Sequence, residues 1–171
     1  MGLAPAAHGG NRTGRIFTGD ESGNFLFRAL YEVGLSNRPE SIRAGDGLDL
    51  FGARLTAAVK CAPPDNRPLP EEFANCREYL IKEVALSPRP RVLVALGGLA
   101  FESCLIALGP VGAPRPRPKP RFVHGARYEI GDAVLYASYH PSQQNTFTGR
   151  LTQRMLRAVL RRAARESAVI P

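Results

Sequence analysis

Arg91-Val-Leu-Val-Ala-Leu-Gly97 is the stretch that decides the fold. It is a continuous apolar run, the pattern of a strand buried on both faces. Gly98 follows, and Leu99–Leu108 is long and apolar enough for a helix, so strand, glycine turn and helix come in the order of a parallel α/β sheet. Working outward, Glu71–Ala85 predicts a helix with acids in its first turn, where the dipole favours them. Arg127–Ile130 and Ala133–Ser138 predict two short strands around Gly131-Asp132, the second stopping at Tyr139-His140-Pro141-Ser142. Leu151–Arg165 predicts an amphipathic helix, with Arg150, Arg154, Arg157 and Arg161 on one face and Leu151, Met155 and Val159 on another. Upstream, Arg54–Lys60 predicts a strand. Phe25, Leu26, Ala29, Leu30 and Val33 predict a helix over Asn24–Gly34, with Asn24 as N-cap and Gly34 as stop. Residues 1–23 hold six glycines and predict an ordered loop, while Gly109–Arg121 interleaves five prolines with Arg115, Arg117, Lys119 and Arg121 and predicts a stiff basic loop. There is no internal repeat and no sign of a second domain, so residues 1–171 are expected to form one.

The chain has 171 residues, 44% of them hydrophobic and 22% charged, close to globular averages and enough for a sizeable core. No stretch approaches the roughly 18 apolar residues of a membrane helix, and MGLAPAAHGGNR lacks a basic start, so no membrane partner and a cytoplasmic location are expected. Cys61, Cys76 and Cys104 are too few for a secreted disulfide framework, which leaves reactive or metal-binding chemistry. The formal charge of +8 points to a polyanion, with nucleic acid first. Of 23 basic residues only Lys60, Lys82 and Lys119 are lysines. Arginine binds phosphate bidentately and stacks on bases, although codon bias also explains the arginine share.

Gly9 and Gly14 have the spacing of a phosphate-binding loop, but Arg15-Ile16 follows where Lys and Ser/Thr belong, so that reading fails. A glycine-lined loop still lets a ligand approach the backbone closely. Phe17 and Asp20 place an aromatic face and a carboxylate three residues apart, which suits a planar ligand; read alone, a core satellite and a turn or cap residue explain them better, so context must decide. His140 follows a strand at the edge where open α/β sheets carry ligand residues, suited to donating to a developing anion. Gln143, Gln144, Asn145, Thr146, Thr148 and Arg150 after it are hydrogen-bonding groups suited to DNA, or to a polar turn. Cys61 and Cys76 bracket a Pro-rich loop, and neither lies in a C-x-x-C; spacing alone reads them as small buried residues.

Taken together, Gly2 to Asp20, then Val59-Lys-Cys-Ala-Pro-Pro-Asp-Asn66 to Cys76, then His140-Pro-Ser-Gln-Gln-Asn-Thr, resemble the family 5 uracil-DNA glycosylases, an iron-sulfur type. The resemblance runs from residue 2 to about residue 165, and three motifs in order are more specific than any one. It implies a three-layer α/β/α sandwich with a central, mainly parallel sheet, and hydrolysis of the bond joining uracil to deoxyribose in DNA, with the damaged nucleotide flipped into a pocket. It implies that Phe17 stacks on the flipped base, that the loop through Gly2, Ala4, Ala6 and His8 contacts its polar edge, and that Asn66 is a pocket amide. His140 would stabilise the departing uracil anion, and Asp20 would stabilise cationic character at the sugar or orient water. Ser142, Gln143, Asn145 and Arg150 would meet DNA, with the basic helix near phosphates. Ala6 and Ala7 match the family's lack of an early polar residue, in keeping with acceptance of further deaminated bases such as hypoxanthine.

Family members hold a 4Fe-4S cluster through four cysteines. Cys61 and Cys76 match two of them, so the ligand set of this chain is expected to be incomplete. The upstream pair and the usual first strand would precede Gly2, and an N-terminal truncation or a misassigned start is expected. A monomer acting on uracil-containing DNA is the leading reading. The alternatives are a catalytically silent nucleic-acid-binding relic, or a small metal module built on Cys61, Cys76 and His124.

Overall fold

A computed structural model describes residues 1–89 and 91–169. The apolar run forms strand β1, Arg91–Leu96, and the segment after Gly97 forms helix α3, Gly98–Leu108. Around them lie α1 (Glu21–Glu32), α2 (Pro70–Ala85), β2 (Arg127–Ile130), β3 (Ala133–Ser138), α4 (Gln143–Phe147) and α5 (Gln153–Glu166). The sheet order is β1-β3-β2. β1 runs parallel to β3 from Arg91↔Ala133 to Leu96↔Ser138, and β2 pairs antiparallel with β3 from Arg127↔Tyr136 to Ile130↔Ala133. The fold is therefore α/β, with one parallel and one antiparallel pairing among the described strands.

Alternation along the strands divides the core. Ala95, Leu135 and Ala137 pack with Phe101, Cys104 and Leu105 of α3 and with Leu80 and Val84 of α2. Leu96 packs with Leu26 and Leu30 of α1 and with Leu156 and Leu160 of α5, while Tyr136 packs with Val159 and Ala163. Phe27 and Phe101 are fully buried. Each such side chain is worth about 1.5–3 kcal/mol of transfer from water.

Two expectations need correction. Arg54–Lys60 is not a regular strand. Ala57 makes a single parallel bridge with Gly2, and Val59 N–H donates to the Leu3 carbonyl at 2.8 Å. Leu96 N–H in turn donates to the Met1 carbonyl at 2.9 Å. Met1–Leu3 thus lies between β1 and this segment, and the pairing is too short and irregular for a ladder. Helix α1 begins at Glu21, three residues before the expected start, because Asp20 caps it: its carboxylate accepts the Gly23 N–H at 2.8 Å. Gly23 is therefore a helical residue. A Cβ there would stand 2.1 Å from the Phe17 carbonyl oxygen, so only glycine lets α1 start against that turn.

Candidate active site

The parallel segments end on one edge of the sheet. Gly97, at φ +102, ends β1, and its N–H donates to the Ser138 carbonyl at the end of β3. His140 follows two residues later, its Cβ close to Gly97. Met1–Leu3 delivers the glycine-rich loop to the same region, with a π-helical turn at Ala7–Asn11. Ligand residues of open α/β sheets lie at such an edge.

The loop returns through Phe17, whose φ of +56 puts a non-glycine residue in the left-handed region. That conformation costs on the order of 1–3 kcal/mol and clusters at functional sites. It brings the ring to 5.9 Å from the His140 ring, tilted by 32°. Phe17 is buried, and the tip of its ring lies against the Gly2 backbone. Thr13 ties the loop together, its hydroxyl lying 3.0 to 3.3 Å from the carbonyls of Gly9, Arg15 and Thr18.

Asp20 joins this pair electrostatically. Burial pulls His140 below the ordinary imidazole value, and the nearby Asp20 charge opposes the shift. His140 is therefore neutral near pH 7. One Asp20 oxygen, Oδ1, is taken by the helix cap. The other, Oδ2, lies over Gly9, where a Cβ would stand 2.2 Å away. The missing side chain at Gly9 is what leaves room for the carboxylate.

The remaining residues divide. Ala4 and Ala6 are half-buried in the loop, while His8 is exposed. Asn66 is exposed on a 3-10 turn, Pro64–Asn66, with both Asp65 and Asn66 left-handed, and among the described residues no hydrogen bond or ring contact joins its side chain to His140 or Phe17. Ser142 is the N-cap residue of α4, and Gln143 is exposed beside it. Asn145 turns inward, its amide donating to the His140 carbonyl at 2.8 Å. Arg150 lies over the Tyr139 ring, 4.5 Å from the centroid.

Sequence reading gave Tyr139 and Phe147 no role here and offered His124 only as a metal ligand. His124 stacks on Tyr139 with centroids 4.9 Å apart, and Phe147 is 79% exposed at the end of α4. The signal for Phe147 was present, a lone aromatic within a polar run. Nothing local announced His124 and Tyr139, which lie 15 residues apart. Arg157, expected to face phosphate, instead pairs with Glu32 of α1. An apolar cavity of about 310 Å³ between Gly52–Thr56 and Val92–Val94 is lined by none of these site residues.

The cysteines do not make a metal centre on their own. Cys61 is exposed; Cys76 is buried, with its Sγ accepting the Lys60 N–H at 3.3 Å. Cys104 is buried on α3, in the cluster that α3 makes with α2 and the sheet, where burial pushes its thiol up to about 12. Among the described residues no three of His, Cys, Asp or Glu converge, so His124 does not complete a site with Cys61 and Cys76. No helix of the described residues is long and apolar enough to cross a membrane.

A family model for the uracil DNA glycosylase superfamily matches residues 1–164. The chain is 53% identical over 166 residues to a type-5 uracil-DNA glycosylase of Thermus thermophilus, covering 96% of this chain and 73% of that protein. It is 50% identical over 171 residues to one of Mycobacterium tuberculosis, covering 99% of this chain and 62% of that protein. It is 49% identical over 170 residues to one of Pyrobaculum aerophilum, covering 99% and 72%. The chain thus spans between three-fifths and three-quarters of these relatives' lengths. A match over nearly the whole chain, falling on the loop, strand and His140 turn described above, places it in the uracil DNA glycosylase superfamily.

Proposed function

We propose that this chain is a DNA-repair glycosylase that hydrolyses the N-glycosidic bond between uracil and deoxyribose, as the first step of base excision repair. The observation that carries the reading is the meeting of Phe17, His140 and Asp20 at the end of the parallel segments. In this reading residues 1–171 are one glycosylase-like domain, a three-layer α/β/α sandwich around a central, mainly parallel sheet.

The duplex would give up the target nucleotide by flipping, which is cheapest at a mismatch such as U·G. Exposed Phe147 on α4 is suited to wedge into the vacated stack, beside Ser142, Gln143 and Arg150 at the groove. The base would lie on Phe17, with its polar edge toward the loop through Gly2, Ala4, Ala6 and His8, and with Asn66 at the far wall. The bond between C1′ and N1 breaks with its electron pair going to the base, which leaves as the uracil anion. His140, neutral and able to donate a hydrogen bond, stabilises the charge that develops on a uracil oxygen. Asp20 Oδ2 faces the cationic sugar and orients the water whose oxygen bonds to C1′; one water proton is released and the base is protonated after departure. A pocket lacking a polar residue at Ala6 and Ala7 extends the same chemistry to other deaminated bases such as hypoxanthine.

Cys61 and Cys76 are the thiolates this chain would give to a 4Fe-4S cluster. Two are half of a four-cysteine set, and no step of the hydrolysis runs through it. The protein would act as a cytoplasmic monomer on uracil-containing DNA.

The test is alkali-revealed strand cleavage of a labelled duplex with one U·G pair, with binding to the same duplex measured in parallel. Uracil release is expected. Binding without release would contradict the enzyme and favour a silent DNA-binding protein.

A further inference from the structure

The turn that carries His140 is held from several places at once. His124, upstream of β2, accepts the Tyr139 N–H on Nδ1 at 3.1 Å, and the two rings stack at 18°. Arg150 lies over the same tyrosine ring, and Asn145 donates to the His140 carbonyl. Tyr139 immediately precedes His140, so fixing its amide fixes where the next residue begins. We infer that His124 is a positioning residue for the glycosylase site, acting through the Tyr139 amide to set the place of the His140 side chain. The inference rests on the reading of His140 given above.

The brace works in one protonation state. An acceptor at Nδ1 requires the neutral imidazole with its proton on Nε2, because imidazolium has no lone pair to offer. Burial holds His124 below the ordinary value, which keeps the acceptor form at neutral pH. Arg154 and Arg162 of α5 line the recess beside His124, Arg150 sits on the Tyr139 ring, and no carboxylate lines that recess. Arg162 also donates to the Gly125 carbonyl at 3.1 Å, fixing the turn next to His124.

Single-turnover uracil release by the wild type, His124→Ala and His124→Asn tests this, with duplex Kd measured in parallel. His124→Ala is expected to slow release about tenfold, the worth of one lost hydrogen bond, with Kd within about twofold. His124→Asn, whose Oδ1 reaches the position of Nδ1, is expected to stay within about threefold of the wild type near pH 7.5. As pH falls through the folded His124 value the ratio of His124→Asn to wild type should rise several-fold, because asparagine keeps its acceptor while histidine loses it. His140 titrates in both proteins and cancels in that ratio. An undiminished rate in His124→Ala, or His124→Asn as slow as His124→Ala, would overturn the inference. A readout independent of turnover is the Tyr139 amide proton shift, expected to titrate with His124 in the wild type and to stay flat in His124→Asn. An amide that does not titrate overturns the brace. A titrating amide in a chain that releases no uracil keeps the brace and overturns the functional reading instead.

Discussion

The His140 turn and the Cys61–Asn66 loop are equally distinctive as strings of residues, and the molecule treats them differently. Phe17, His140 and Asp20 are drawn together by ring contact, burial and a helix cap. Cys61 and Asn66 are exposed, and Asn66 sits on a left-handed turn, its side chain without a hydrogen bond to the first group among the described residues. A motif identifies a residue, and packing decides whether it is already in place. The first region is tied together by its own contacts; in the second, Asn66 stands exposed on its turn.

The largest test of that contrast is truncation of each side. His140→Ala is expected to slow uracil release by about 100-fold, the scale of a lost anion-stabilising donor. Phe17→Ala is expected to slow it by about tenfold or more, since base stacking is worth about 1–3 kcal/mol. Asn66→Ala should cost less than about threefold, and all three should bind duplex within about twofold of the wild type. A loss in Asn66→Ala as large as in His140→Ala would erase the distinction between the regions.

A finer test separates the two duties of Asp20. Asp20→Asn retains a good N-cap, so its unfolding free energy should stay within about 0.5 kcal/mol, while Asp20→Ala should lose about 1 kcal/mol. Base release should fall about tenfold or more in both. A rate that follows stability rather than charge would reduce Asp20 to a cap.

Salt dependence sharpens the contrast on the DNA side. Arg154→Gln is expected to lower the slope of log K against log salt by about 0.9, whereas Arg157→Gln should leave it unchanged. Arg157 is held by Glu32, and losing that partly exposed pair should cost less than about 1 kcal/mol of stability. Equal slope changes in the two variants would return Arg157 to the DNA surface.

The smallest effect is on stability against pH. His124 and His140 both lie below 6.5 when folded, so the unfolded chain binds more protons as pH drops below that value. Stability present above about 6.5 is then lost as pH falls toward the folded values. Glu166, held down to about 2 by Arg127, acts only at lower pH. Urea midpoints should show a shallower acid slope in His140→Asn. An unchanged slope would mean that His140 is solvated as freely when folded as when unfolded.

Legibility in the sequence followed the range of the interactions. Arg91–Leu96 and Gly98–Leu108 could be read directly, because an apolar run, a glycine turn and a helical segment are local patterns. The start of α1 could not, because Gly23 looks like loop until the Phe17 carbonyl beside it explains the missing Cβ. Arg54–Lys60 misled, because its partner, Met1–Leu3, is too short to complete a ladder. The arginine face expected over Leu151–Arg165 was legible only in part: α5 starts at Gln153, so Arg150 precedes it and lies over Tyr139, and Arg157 pairs with Glu32, 125 residues away. Phe17, Asp20 and His140 were legible by resemblance, whereas the contact of His124 with Tyr139 became visible only once the chain had brought the two together across 15 residues.

A double-mutant cycle on Phe17 and His140, read in single-turnover uracil release from a U·G duplex, tests most directly whether these rings act as one site. Residues acting as a unit are strongly non-additive. The double variant is predicted to be within about threefold of His140→Ala, because a base no longer held at one ring gains little from the other. Losses that multiply in full, to about 1,000-fold, would contradict the account and show that the two rings contribute separately.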